Sequence, residues 1–250
     1  LAVLRTERFT GTPCRAAAFG ARGFLATINV LSMNILALTD IHGAYDTAVA
    51  IARHAAPDVL LIGGDLTTIG SVREAEAAVA RLQEIAPAVL CVAGNMDLPA
   101  HDELFVRLGV SLNGRGVRVG DVGFCGASGA PVSRLHTPYE ITEEEIARRL
   151  RAGYEEVRGC RRIIFVPHAP PFGTRLDIIH SGIHVGSAAV RDAIEDFSPD
   201  VVICGHVHEA RGEDAIGPTK IVNCGPASHG SYARLWVGEE IRIELGRMAV

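Results

Sequence analysis

VLCVAGNMDLPAH, residues 89–101, is an apolar run of strand length that breaks at Gly94 and presents Asn95, Met96 and Asp97 before Pro99. A buried strand ending in polar residues delivers them to the edge of a sheet. The construction occurs twice upstream: NILALT (34–39) runs into Asp40 and His42, and DVLLIGG (58–64) runs into Asp65. Each run is followed by a helix-like segment, over Gly43 to His54, over Ser71 to Ile85, and from near Leu98. This βαβα rhythm predicts a largely parallel sheet with helices packed against it.

Further along, GVRVGDVGFCGAS (116–128) reads as a glycine-punctuated hairpin and ITEEEIARRLRAGYEEV (141–157) as an amphipathic helix. Thr142 and Glu145 have capping-box spacing there, and Glu144/Arg148 and Glu145/Arg149 stand at i,i+4, which reads as a solvated charged face. RIIFVPH (162–168), a helix over Ser187 to Phe197, DVVICGH (200–206) and the closing strands TKIVNC, YARLWV and IRIEL complete the chain. Two sets of strands with helices outside predict an α/β sandwich of two sheets, with no internal repeat.

With 48% apolar residues, the 250-residue chain can bury a large core. Its formal charge is −5 and its basic residues are scattered, which argues against binding nucleic acid through the phosphate backbone. Six cysteines show no paired spacing, so the expected setting is a reducing, cytoplasmic compartment without disulfides. Residues 1–32 carry four arginines against one glutamate and have no clear period. They read as a disordered extension or a misassigned start, with the folded domain over 33–250. A secretory signal is the competing reading; cleavage after FLATINVLSMNILAL would remove the strand leading to Asp40 and His42. No segment is apolar enough to span a bilayer.

Five strand-like runs therefore end in metal-capable residues: Asp40 and His42, Asp65, Asn95, His168, and His206 with His208. Singly, each has a plainer reading: Asp40 as a helix cap, Asp65 as the closure of a Gly-Gly turn, His168 as a hydrogen-bonded histidine. As a set they point elsewhere. Asp40/His42 and His206/His208 are spaced i,i+2, so an extended backbone turns each pair to one side. Gly64, Gly94 and Gly205 precede three of the candidates, where a backbone turns sharply or approaches an ion closely. Seven ligands without cysteine are too many for one tetrahedral zinc and suit two divalent ions sharing a carboxylate, for which Asp65 is the natural bridge.

D-x-H, G-G-D, G-N-x-D, a lone H and G-H-x-H, in this order, resemble the calcineurin-like metallophosphoesterases from Met33 onward. The resemblance implies a four-layer αββα sandwich. It implies Asp40, His42, Asp65 and His208 around one metal, and Asp65, Asn95, His168 and His206 around the other. It further implies a phosphoric ester hydrolase, phosphodiesterase-like or acting on phosphomonoesters, in which a hydroxide bridging the ions attacks phosphorus. Mn²⁺ is the expected metal, with Fe, Zn²⁺ or Ni²⁺ as alternatives. Asn95 would ligate through its carbonyl and offer its NH₂ to a phosphate oxygen.

Family members often carry His where this chain has Met96, and a thioether has no proton to give. Lacking it, the chain resembles the small single-domain prokaryotic branch. A replacement acid or phosphate contact is expected from His184, just before an expected helix start at Gly186-Ser187, or from His229. Asp97 is expected to cap the helix after Pro99, and His54, His101, His136 and His180 to be surface or loop residues. The expected partner is a small phosphoester, with no membrane and no nucleic acid. A scaffold of the same fold that has lost its chemistry is the competing reading, although such scaffolds tend to lose ligands.

Overall fold

In the computed structural model, which describes residues 32–249, strand β1 (Met33–Leu38) shows why the chain folds in layers. Its side chains alternate: Ile35 and Ala37 join one apolar cluster, Leu36 and Leu38 another. β2 (Val59–Gly63) and β3 (Ala88–Val92) alternate likewise, so all three strands are buried on both faces. The expectation for residues 1–32 falls, Ser32 apart, outside the described residues.

Three helices cover one face of this sheet: α1 (Tyr45–Ala55), α2 (Val72–Gln83), capped by Ser71, and α3 (Ala100–Arg107). β4 (Gly116–Val119) and β5 (Val122–Ala127) form the antiparallel hairpin expected from the glycines. The short strands β6 (Ala130–Pro131) and β7 (Glu140–Ile141) pair with each other and bracket a loop. α4 (Glu143–Val157) follows, then β8 (Arg162–Pro167), α5 (Ala188–Phe197), β9 (Val201–Cys204), β10 (Gly212–Ile216), β11 (Thr219–Asn223), β12 (Ser231–Val237) and β13 (Ile241–Arg247).

The first sheet has the order β13-β12-β1-β2-β3 and the second β10-β11-β9-β8-β5-β4. β1, β2 and β3 are mutually parallel, as are β5, β8, β9 and β11. Between the sheets lies a core containing Ile35, Leu61, Val92, Phe124, Ile164 and Ile203. Beyond the second sheet, Phe165, Val202 and Cys204 pack against Leu150 of α4 and Ile194 of α5. The result is the expected αββα sandwich, with the carboxyl ends of β1–β3 and of β8 and β9 supplying the site.

Two local expectations are corrected. Thr142 accepts the N–H of Glu145, but Glu145 grips both Arg148 and Arg149, and Glu144 does not pair with Arg148. Arg149 also leaves the solvated face: its guanidinium donates inward to Tyr139 Oη at 2.9 Å and Asn113 Oδ1 at 3.2 Å.

Candidate metal centre

Each of the seven candidates stands at, or just past, a strand tip, and the geometry draws them together. Asp40 is buried; its Oδ1 lies 3.3 Å from Nε2 of His208, and its carboxylate accepts the N–H of His206. It caps no helix, since Ala44 holds the N-cap position of α1 and no side chain caps it. His42 Nδ1 meets Thr68 Oγ1 at 2.9 Å, which leaves its Nε2 facing His208 Nε2 at 3.4 Å. Oδ2 of Asp65 lies 3.6 Å from Nε2 of His42 and 3.6 Å from Nε2 of His168. Oδ1 of Asn95 is 2.9 Å from His168 Nε2 and 2.8 Å from His206 Nδ1.

The donor set fits a divalent cation. His168 Nδ1 is 2.9 Å from the carbonyl of Gly63, which can only accept, so Nδ1 carries the proton and Nε2 offers a lone pair. That lone pair faces Asn95 Oδ1 and Asp65 Oδ2. Acceptors facing acceptors are stabilised by a positive charge shared among them. Burial pushes the His168 imidazole down, but Asp65 and Asp40 outweigh it and hold the ring up at about 9, so that without a cation a second proton at Nε2 supplies the shared positive charge, and a bound cation would replace it. Two groups of donors, Asp40, His42 and His208, and Asp40, Asp65 and His168, each gather within 4.8 Å. Asp40 belongs to both groups.

The backbone is bent to achieve this. Asp40, His42, Asp65 and His206 have φ of 54°, 48°, 50° and 67°, the left-handed region, where each non-glycine residue costs on the order of 1 kcal/mol or more. Strain of this kind clusters at functional sites. Close approach is equally visible: a β-carbon at Gly94 would overlap Asp65 Oδ1, and one at Gly205 would overlap Asp40 Oδ2.

Asp97 does not cap α3, whose N-cap is Pro99. Its buried carboxylate accepts the N–H groups of Leu66, Thr67 and Gly94 and the hydroxyl of Thr67, tying the β2 and β3 tips together. Beneath it lies His101, fully buried rather than at the surface, with Nδ1 3.5 Å from Asp97 Oδ1. His54, His136 and His180 are exposed, as expected. Met96 is half-buried and contributes through its backbone: its N–H donates to Asp65 Oδ1 and its carbonyl accepts from Ile69.

A cavity of about 1000 Å³ adjoins the centre, with Asn95, His206 and His184 in its wall. His184 Nδ1 donates to Oδ1 of the fully buried Asp177 at 2.7 Å, so its Nε2 is left for other partners. The expected phosphate site at the α5 start is already taken: Glu143 accepts from Ala188 N, Ala189 N and Ser187 Oγ. His229 is exposed and lines a separate depression with Arg247 and Met248, away from this wall.

Residues 33–210 match the model of the calcineurin-like phosphoesterase family, and the chain belongs to it. Over 204 residues it is 36% identical to the uncharacterized protein MJ1162 of Methanocaldococcus jannaschii, covering 80% of this chain and 91% of that one. Among solved structures, TT1561 of Thermus thermophilus matches with a TM-score of 0.66 at 21% identity, over 86% of this chain and 99% of its own. A dimetal phosphatase from Danio rerio matches with a TM-score of 0.60 at 13% identity, over 87% of this chain and 97% of its own. At these identities the two structures share the fold.

Proposed function

We propose that the chain is a phosphoesterase dependent on two divalent cations, Mn²⁺ foremost, that hydrolyses phosphodiesters. The convergence of seven oxygen and imidazole donors from five strand tips, four of them in left-handed backbone, carries this reading. Asp40, His42, Asp65 and His208 would hold one cation, and Asp65, Asn95, His168 and His206 the other. The likeness in fold to a dimetal phosphatase agrees with it. When bound, such ions polarise phosphoryl oxygens and make a water acidic enough to attack at neutral pH.

The chain's own groups do the rest. Asn95 presents its NH₂ to a phosphoryl oxygen, and the Gly63 carbonyl fixes the tautomer of His168. Asp97 holds the β2 and β3 tips in register. His184, positioned by Asp177, turns its unengaged Nε2 to the cavity as the candidate donor to the leaving oxygen, the role that Met96 cannot fill. A diester fits best, because the cavity beside Asn95 has room for a second substituent. Among the described residues no helix is long and apolar enough to cross a membrane. The five described cysteines are free thiols, the state expected in a reducing cytoplasm.

Hydrolysis of bis-p-nitrophenyl phosphate with added Mn²⁺ is the test, with loss of activity expected in Asp65→Ala and about two ions per chain by elemental analysis. A rate no higher than the metal-only blank overturns the reading. A purified protein that cannot be loaded with metal supports the scaffold instead.

A further inference from the structure

Six large apolar side chains are exposed among the described residues, and four of them, Val132, Leu135, Phe172 and Ile183, line the cavity described above beside the candidate metal centre. Their exposures run from 45% to 81%, so each holds apolar surface in water. The clustering is built in. Val132 and Leu135 lie on the loop between β6 and β7. Ile183 sits on a tight turn closed by Ile179 N–H to Ile183 O and Gly182 N–H to Ile179 O, and Phe172 packs its ring 5.7 Å from that of His184.

Apart from Arg134 and Nε2 of His184, the charged groups lining the outer wall are already engaged. Glu140 accepts from the backbone N–H and hydroxyl of both Ser133 and Thr137. Glu143 closes the start of α5, and Glu209 accepts the N–H of His180. Arg134 and His184 remain as donors suited to an anionic phosphoryl group, and few other side-chain groups remain to read the hydroxyls of a sugar or the edge of a base. Recognition by apolar contact with a few fixed polar groups is the usual construction of a small-molecule site, and exposed apolar patches mark binding surfaces.

We propose that the ester's organic substituent is an apolar alkyl or aryl group, seated against Leu135, Phe172 and Ile183 while the phosphoryl group lies at Asn95 and His206. This rests on the phosphoesterase reading of the same site. The apolar side chains line the same cavity as Asn95, which would contact the phosphoryl group, and the cation ligand His206, which favours a substrate substituent as the occupant.

The test uses p-nitrophenyl alkyl phosphodiesters from methyl to octyl, which share one leaving group, on the Mn²⁺-loaded protein. Alkylphosphonates of the same lengths, which carry no ester to cleave, are titrated calorimetrically. Affinity should rise by about three- to fourfold per methylene buried, about tenfold between methyl and hexyl if two of the added methylenes are buried and about 10²–10³-fold if all are. Leu135→Ser and Phe172→Ser should flatten that slope, whereas Val106→Ser, exposed elsewhere, should leave it unchanged.

Affinity independent of chain length overturns the proposal. So does a dimer that Leu135→Ser dissociates without any change in the slope, which would assign the patch to a second copy of the chain. If no ester is cleaved but phosphonate affinity still climbs with length, the phosphoesterase reading fails and the apolar subsite stands.

Discussion

The backbone N–H of Met96 donates to Oδ1 of Asp65 at 2.7 Å, so the position that lacks a histidine still orients the carboxylate placed between His42 and His168. What this position requires is a backbone donor, and any residue but proline supplies one. The oxygen it grips is also the one that a side chain at Gly94 would displace.

Gly94→Ala should therefore uncouple the centre without unfolding the sandwich. A misplacement of about 1 Å is enough to cost about 10²-fold in rate, and a loss at least that large is expected. Metal content should fall below that of the parent protein, measured alongside bis-p-nitrophenyl phosphate turnover. Unchanged metal content and rate would show that Asp65 tolerates the shift.

His184→Gln should discriminate between leaving groups. Esters with alkoxide leaving groups should slow by about 10²–10⁴-fold, the usual worth of general acid help, while p-nitrophenolate departure changes little. A plot of log kcat against leaving-group pKa should steepen. An identical decrease for both ester types would place His184 in binding rather than proton transfer.

Glu140 should make the cavity wall sensitive to acid. Burial pushes its carboxyl up, but four bonds from Ser133 and Thr137 outweigh that and hold it down at about 2, against an ordinary value of 4.5. A carboxyl depressed on folding stabilises the loop fully above its unfolded value, and this is lost as pH falls through the folded one. Between about pH 4.5 and pH 2, hydrogen exchange in residues 131–140 should therefore accelerate ahead of the β-sheets. Glu140→Gln should show the faster exchange already at pH 7.

Ala56→Gly should stabilise the fold. Ala56 ends α1 at φ 43°, in the left-handed region, and its side chain is exposed. Glycine removes the strain and gives back part of the gain as chain entropy, leaving a net increase of about 0.5–1 kcal/mol. The urea midpoint should rise with an unchanged slope.

The strand tips were readable because a metal site constrains residue type and position together, as Asp40/His42 and His206/His208 show. The layers were readable because β1 and β2 are apolar on both faces. The role of Asp97 was not, since Leu66 and Thr67, which it grips, lie 31 and 30 residues away, and the burial of His101 beneath it comes only with the fold. The same holds for Glu143, whose carboxylate reaches more than forty residues along the chain to Ser187. The apolar wall is not legible in the sequence, because Leu135 and Ile183 come to line one cavity only through the fold.

β1, the first strand of the chain to carry candidate ligands, is flanked by β2 on one side and by β12, from near the opposite end of the sequence, on the other. Asp40 is further held through its carbonyl by Ser228. During synthesis Asp40, His42 and Asp65 emerge long before the segments that complete their surroundings. Pairing over such sequence separation is slow to form, so the centre is among the last parts of the molecule to mature, and a nascent chain offers metal ions only a partial, open cluster.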